Sequence, residues 1–251
     1  MQTFYLIYFF VTGTVFGSFF NVVGLRVPNK QLFQSQRSYC PHCSHTLRWY
    51  ELIPILSFIL QFGRCRHCKR HISSIYPIIE FMTGVLFAYS FLHFGFQIEL
   101  LLSLLLLSLL SIIVVSDTKY MLIPDKILLF FLPLFIILRF IEPLDPWWSS
   151  VFGAVVGFGL LAIIIIVSRG GMGGGDMKLF GLLGIVLGIS KVLVAFFLAT
   201  LIGAIVSGIL VGVKLVDRKK AIPFGPYIVI GTIVAYFFGD KVIDWYLSIF
   251  F

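Results

Sequence analysis

Eleven acidic residues are scattered through a chain of 251, and two of them stand where an apolar run meets polar sequence. Asp117, in Ser116-Asp117-Thr118-Lys119, closes one run, and Asp176, at the end of the glycine-rich stretch that leads to Lys178, opens another. Two carboxylates that converge can hold a water between them. The ionised member takes a proton from that water while its protonated partner donates to a peptide carbonyl. Their proximity disfavours double ionisation, so such a pair titrates as a unit. Helix polarity suggests the roles. Asp176 stands at a helix N-terminus, which favours the anion and initial base, and Asp117 at a C-terminus, which favours the initial acid. Lys119 and Lys178 each follow an aspartate by two residues and are candidates to tune it, while Asp125 and Asp217 are alternative acids on the same side.

Five of the nine residues in Gly170–Lys178 are glycine, each costing a helix roughly 1 kcal/mol relative to alanine, so the stretch is read as irregular. Gly173 and Gly175 would let the backbone approach an extended substrate beside Asp176. The plainer alternative is a loop that ends in an N-cap aspartate.

A second constellation uses all four cysteines. Cys40 and Cys43 form one Cys-x-x-Cys pair and Cys65 and Cys68 another, with 21 residues between them. Each pair can turn two thiolates onto one ion, and together they make the tetrahedral four-sulfur set that structural zinc favours. Disulfides are the rival, opposed by a reducing compartment. His42, His45, His67 and His71 are alternative ligands. A closed four-sulfur site leaves no position for substrate, so its part is to hold a small domain together.

The elements that must position these groups follow from composition. The chain is 59% hydrophobic and 12% charged, against about 25% charged in soluble domains. Residues 1–25, 81–98, 100–116, 146–168, 192–213 and 221–239 carry no charge, and each approaches the length of a spanning helix. The runs 127–138 and 179–190 are shorter. If all eight cross, sixteen of the nineteen bases fall on one side, leaving only Arg139, Lys191 and Lys241 on the other. That bias places the basic side in the cytoplasm and favours an all-α, polytopic bundle of about eight transmembrane helices. Residues 1–25 lack the basic start and small-residue cleavage site of a signal peptide and are read as the first span. Residues 26–75 make a cytoplasmic four-cysteine domain and 76–251 the remaining membrane domain. The net charge of +8 is explained by topology and anionic headgroups rather than nucleic acid.

Within this frame Glu80 sits about one turn inside the second span, a functional candidate or a structural ion pair. The apolar stretch Glu51–Phe62 is too short to span and is read as interfacial, seating the cysteine domain on the membrane. Asn21 in the first span should find a partner. Gly153/Gly157, Gly184/Gly188 and Gly208/Gly212 are small-xxx-small pairs suited to close helix packing. Glu142–Trp148 reads as an aromatic interfacial anchor.

The motifs taken together resemble the prepilin (type IV leader) peptidases. Gly173-Gly174-Gly175-Asp176 fits the Gly-x-Gly-Asp motif of membrane aspartyl proteases. The likeness extends to Gly17-Ser18-Phe19, Asn21, Arg26 and Pro28, both cysteine pairs, Trp49-Tyr50-Glu51, Tyr76-Pro77 with Glu80, Asp117 with Ile123-Pro124-Asp125, and Ile222–Pro226. The cysteine loop is similar to that of the competence-type enzymes of Gram-positive bacteria. This resemblance implies a multi-pass enzyme of the bacterial plasma membrane whose catalytic aspartates are Asp117 and Asp176. It implies cytoplasmic cleavage, after a glycine, of the leader of type IV prepilin or pseudopilin precursors, ahead of a hydrophobic helix. It also implies that some relatives methylate the new N-terminus with S-adenosylmethionine. Trp49-Tyr50-Glu51-Leu52 departs from the Trp-Tyr-Asp-Asn of many relatives, which bears on methylation. Prepilin leaders are usually basic, whereas residues 26–75 hold eight bases and one acid, Glu51. Recognition is therefore expected through the substrate's apolar helix and the acidic pair. The cysteine loop argues against a different Gly-x-Gly-Asp protease. A transporter relaying protons through Asp117, Asp176 and Glu80 would place its acids near mid-bilayer.

Overall fold

Backbone in lipid must satisfy its own N–H and C=O groups, so apolar runs of this length fold as helices. The computed structural model describes residues 1–31, 38–40, 42–168, 171–215, 217 and 222–250. Gly170 and the bases Arg37, Arg169, Arg218, Lys219 and Lys220, which entered the sequence reading, lie outside the described residues. The helices are α1 (Gln2–Arg26), α2 (Leu56–Leu60), α3 (Ile75–Phe94), α4 (Ile98–Tyr120), α5 (Asp125–Ile141), α6 (Ser149–Val167), α7 (Gly174–Gly212) and α8 (Gly225–Phe250), with a 3-10 turn at Trp49–Leu52. Extended pairing among the described residues is limited to the isolated bridges Tyr39–Thr46 and Arg64–His71. This is an all-α, multi-pass membrane protein, with α1, α3, α4, α6, α7 and α8 each long and apolar enough to cross a bilayer.

The 39-residue α7 is a hairpin of two helices. Gly188 interrupts it at φ 73°, ψ −178°, a conformation open to glycine and costly for other residues. Sixteen residues of continuous helix would separate Phe180 from Phe196 by about 24 Å, yet their rings pack at 5.8 Å. The chain therefore reverses at Gly188. Its exposed backbone groups are taken up from both sides. The buried Arg139 donates from Nε (3.1 Å) and Nη2 (2.7 Å) to the Val186 carbonyl, and the Ile189 amide donates to Ser149 Oγ at 3.2 Å. With this reversal the eight apolar segments of the sequence are all present as helix. The run 127–138 lies in α5, whose 17 residues extend about 25 Å, and 179–190 forms most of the first half of α7.

Two compact units divide the chain, residues 1–115 and 116–251, with the last turn of α4 in the second. The region 76–251 read as one membrane domain straddles them. In the first unit α1 packs on α3 through glycine: a Cβ on Gly13 or Gly17 would come within 3 Å of Gly84 or Glu80 backbone. Thr83 bonds Ser111 at 3.1 Å and Ser103 donates to Ser90 at 2.6 Å, joining α3 to α4. The Asn21 amide donates to the Tyr76 carbonyl at 3.2 Å, the partner that a polar group in a span requires.

In the second unit α6 lies against the first half of α7, with Gly153 on Gly184 and Gly188, and Gly157 on Phe180. The second half of α7 packs on α8 through Ala195 and Ala199 against Gly231. Gly208 and Gly212 depart from expectation. Among the described residues a Cβ on either would meet nothing within 4 Å, because they lie in the last turns of α7, beyond the contact of Gly203 with Phe224 and Tyr227.

Candidate active site

Asp117 lies in the last turn of α4, where the chain leaves the helix in a tight bend. Met121 takes φ 51°, its amide donates to the Asp117 carbonyl at 2.8 Å, and Ser116 Oγ donates to the Leu122 carbonyl at 2.6 Å. Pro124 follows as the N-cap of α5. The bend carries Ile123 against the start of α7, where a Cβ on Gly175 would meet Ile123 Cβ at 2.9 Å. Glycine at 175 thus lets α7 begin directly beside the α4–α5 connection.

Asp176 is not the N-cap. Gly173 is, and Asp176 is the third helical residue, its amide donating to the Gly173 carbonyl at 3.1 Å. Its carboxylate lies against Gly173, where a Cβ would stand 3.1 Å from Oδ2. Helix begins at Gly174, so part of the glycine stretch that the sequence suggested was irregular is helical; tertiary contact with Ile123 outweighs propensity there. Both carboxylates are buried, Asp117 6% and Asp176 8% exposed.

A third helix end completes the cluster. Gly225, the first residue of α8, donates its amide to Asp117 Oδ2 at 2.7 Å. A Cβ on Gly225 would fall 2.7 Å from that oxygen and 2.8 Å from Asp117 Cβ. Pro226 follows and has no N–H, so Gly225 is the donor at this corner. The polarity argument for Asp117 changes accordingly. Although it closes α4, its carboxylate reaches the N-terminus of α8, so both acids face helix N-termini and dipoles no longer distinguish base from acid. The sequence signal was present in Ile222–Pro226, a glycine-proline helix start, but only the fold says what it serves.

The two lysines do not line the pair. Lys178 Nζ bonds both oxygens of Asp125, at 2.9 and 2.8 Å, and Lys119 is exposed at the end of α4. Residues two apart on a helix point to different faces, so neither lysine shares its aspartate's side. Asp125, the alternative acid, is occupied by Lys178. Glu80 belongs to the first unit. It is 8% exposed, accepts the Ile55 amide at 2.7 Å and is bonded by the Ser18 hydroxyl. Among the described residues its partners are therefore a backbone amide and a hydroxyl rather than the cation that an ion pair requires.

The cysteines converge in the first unit. Their four sulfurs lie within 4.8 Å of one another, none is in a disulfide, and Cys40 and Cys68 stand 3.8 Å apart. A tetrahedron of sulfurs 2.3 Å from a metal has edges of about 3.8 Å, so the cage fits one ion. The two pairs are built alike. Cys40 N bonds the His45 carbonyl and Cys65 N the Arg70 carbonyl, both at 2.9 Å, and Ser44 and Lys69 take φ 55° and 59°. His45 and His67 stack with ring centroids 5.0 Å apart. Burial works against the Cys40 thiolate, but the backbone amides of His42 and Cys43 and the neighbouring thiols of Cys43 and Cys65 outweigh it and push its pKa down, while the same thiol neighbours push Cys43 up, as sulfurs sharing one site do.

Residues 104–208, which hold both aspartates, match the model of the type IV leader peptidase family, and residues 11–94 match the bacterial peptidase A24 N-terminal domain. Over 239 residues the chain is 43% identical to a Bacillus subtilis (strain 168) protein named prepilin leader peptidase/N-methyltransferase, covering 95% of this chain and 96% of that one. The chain belongs to the type IV leader peptidase family. Members carrying the same name are 35% identical over 218 residues in Legionella pneumophila and 32% identical over 266 residues in Stutzerimonas stutzeri. The former covers 84% of this chain and 76% of the relative, the latter 95% and 92%. No solved structure matches this family member. The matched regions join the sulfur cage and the paired acids in one chain, as the motifs suggested.

Proposed function

We propose that this chain is a membrane aspartic endopeptidase that removes the leader from type IV prepilin or pseudopilin precursors, with Asp117 and Asp176 as its catalytic pair. The observation that carries this reading is the burial of two carboxylates at the ends of α4 and α7, where Gly175 packs on Ile123 and the start of α8 bonds Asp117. One carboxylate takes a proton from water as the water attacks the scissile carbonyl, and the other gives its proton to the carbonyl oxygen. Collapse of the tetrahedral intermediate returns a proton to the leaving amine. The Gly225 amide holds one oxygen of Asp117 and leaves the other for this exchange. Gly173 and Gly175 support the site by permitting the start of α7 to pack closely. Lys119, Lys178 and Glu80 act, where they act, through the surrounding framework.

The substrate is a precursor whose leader precedes a hydrophobic helix, and lipid surrounds both partners. Sixteen bases on one side of the eight-segment topology support a bacterial plasma-membrane location with the acids facing the cytoplasm. Zinc is the ion that the four-thiolate cage suits, held by Cys40, Cys43, Cys65 and Cys68 in a structural role within residues 26–75. Glu51, at the aspartate position of many relatives, is buried and accepts the Arg48 amide at 2.9 Å. Methyl transfer from S-adenosylmethionine, and the assignment of residues 26–75 to it, therefore rest on the relatives' names.

Membranes containing Asp117→Asn or Asp176→Asn protein should leave an added prepilin uncut. Full processing by either variant rejects the assignment. Mass spectrometry of the wild-type product's N-terminus reads the cleavage position and any added methyl together.

A further inference from the structure

Between the two cysteine pairs the chain exposes a dense apolar surface. Trp49, Leu52, Leu56, Ile59, Leu60 and Phe62 are all exposed, Phe62 at 88%. Exposed apolar patches of this kind mark interaction or membrane surfaces. The five-residue α2 is far too short to cross a bilayer, and what covers it is indicated by how it is held.

Pro54, Ile55 and Leu56 form a three-residue turn in which the Leu56 amide donates to the Pro54 carbonyl at 2.5 Å. Ile55 at its centre takes φ 60°, ψ −54°, a strained conformation for a β-branched residue that persists only when surroundings enforce it. The enforcing partner is Glu80, which takes the Ile55 amide at 2.7 Å. Glu80 lies five residues beyond the first residue of α3, about 7.5 Å along the axis. Around this level α3 already exposes Ile78, Phe81 and Met82, as a helix does toward lipid. The clasp therefore fixes the apolar turn at the depth of lipid-facing residues in a membrane-crossing helix. Arg48, Arg64, Arg66, Lys69 and Arg70 flank the segment in sequence, the arrangement that anionic headgroups attract. The turn is also locked to the second cysteine pair, since Gly63 N bonds the Phe58 carbonyl at 2.9 Å and Ile72 N the Gly63 carbonyl at 2.8 Å.

We infer that Trp49–Phe62 is a monotopic insertion into the leaflet from which α3 starts, occupied by anionic phospholipid, and that Glu80 is the positioning residue that sets its depth. This goes beyond the peptidase reading and does not depend on it. Through its link to the second cysteine pair, the inserted segment holds the sulfur cage against the membrane surface.

The full chain, with p-benzoylphenylalanine in place of Phe62, is placed in nanodiscs of phosphatidylcholine containing phosphatidylglycerol and irradiated. A protein adduct heavier by one phospholipid is expected, with several-fold less from the same probe in place of Arg66. In a Glu80→Ala background the adduct at Phe62 should fall by about tenfold, the scale of losing one charge-assisted hydrogen bond, while bound metal is unchanged. Glu80→Gln, which keeps an acceptor, should restore most of it and separates loss of the clasp from misfolding. Absence of lipid adduct at Phe62, or equal adduct at Arg66, overturns the insertion. Transfer of the adduct to an added apolar helical peptide identifies a protein-docking surface instead. Indifference to Glu80→Ala overturns the depth-setting role.

Discussion

Replacing Gly225 by alanine would bring a methyl carbon to 2.7 Å from Asp117 Oδ2, 2.8 Å from its Cβ and 2.9 Å from its Cγ. The Cβ contact is not the tip of a flexible chain; it is fixed on α4. Relief requires the start of α8 to withdraw by roughly half an ångström or more to reach van der Waals separation, which stretches the 2.7 Å bond from the Gly225 amide to Asp117. A hydrogen bond to a charged group is worth about 1.5–3 kcal/mol, and at ~1.4 kcal/mol per decade this is a rate loss of about 10- to 150-fold. Misplacing a catalytic group by about 1 Å carries a penalty of similar size, near 100-fold. The assay is the initial rate of prepilin cleavage in membranes matched for enzyme content. Gly174→Ala is the control, because a Cβ there meets nothing within 4 Å and alanine favours the first turn of α7 by up to ~1 kcal/mol. It should cleave within about twofold of wild type, well below one decade. A Gly225→Ala enzyme as active as the Gly174→Ala control would refute the dependence of Asp117 on the α8 amide.

Arg139→Leu should destabilise the α7 hairpin by about 2–3 kcal/mol, because the Val186 carbonyl loses charged donors in a buried setting; thermal unfolding in detergent measures it. Cys40→Ser or Cys65→Ser should reduce bound zinc to a small fraction of one ion per chain by elemental analysis, and unchanged metal content would refute the four-sulfur cage. Lys178→Gln should alter cleavage by less than about tenfold, because its ion pair with Asp125 is half-exposed and such pairs contribute about 0–1 kcal/mol. A loss as deep as that of Asp176→Asn would place Lys178 in the reaction itself.

What the chain alone determined follows from strong local constraints. Charge-free runs in a lipid-facing chain have no alternative to helix, so the helical segments were legible even where two were short. The two Cys-x-x-Cys pairs were equally legible, since sulfur spacing within each pair already defines half of a metal cage. Asp117 and Asp176 were marked by standing at the edges of apolar runs. The rest was decided by contacts between residues far apart in sequence. How residues 179–190 join the next helix was decided by Gly188, which reverses the chain, and by Arg139, which holds the Val186 carbonyl beside it. The role of Gly225 required α8 to meet α4 across 108 residues. Lysines placed near the aspartates by sequence were turned away by helical rotation, and Glu80 found a backbone amide rather than an arginine. Local sequence fixes which groups are available; which of them meet is a property of helix packing, where a glycine or a single donor sets the approach.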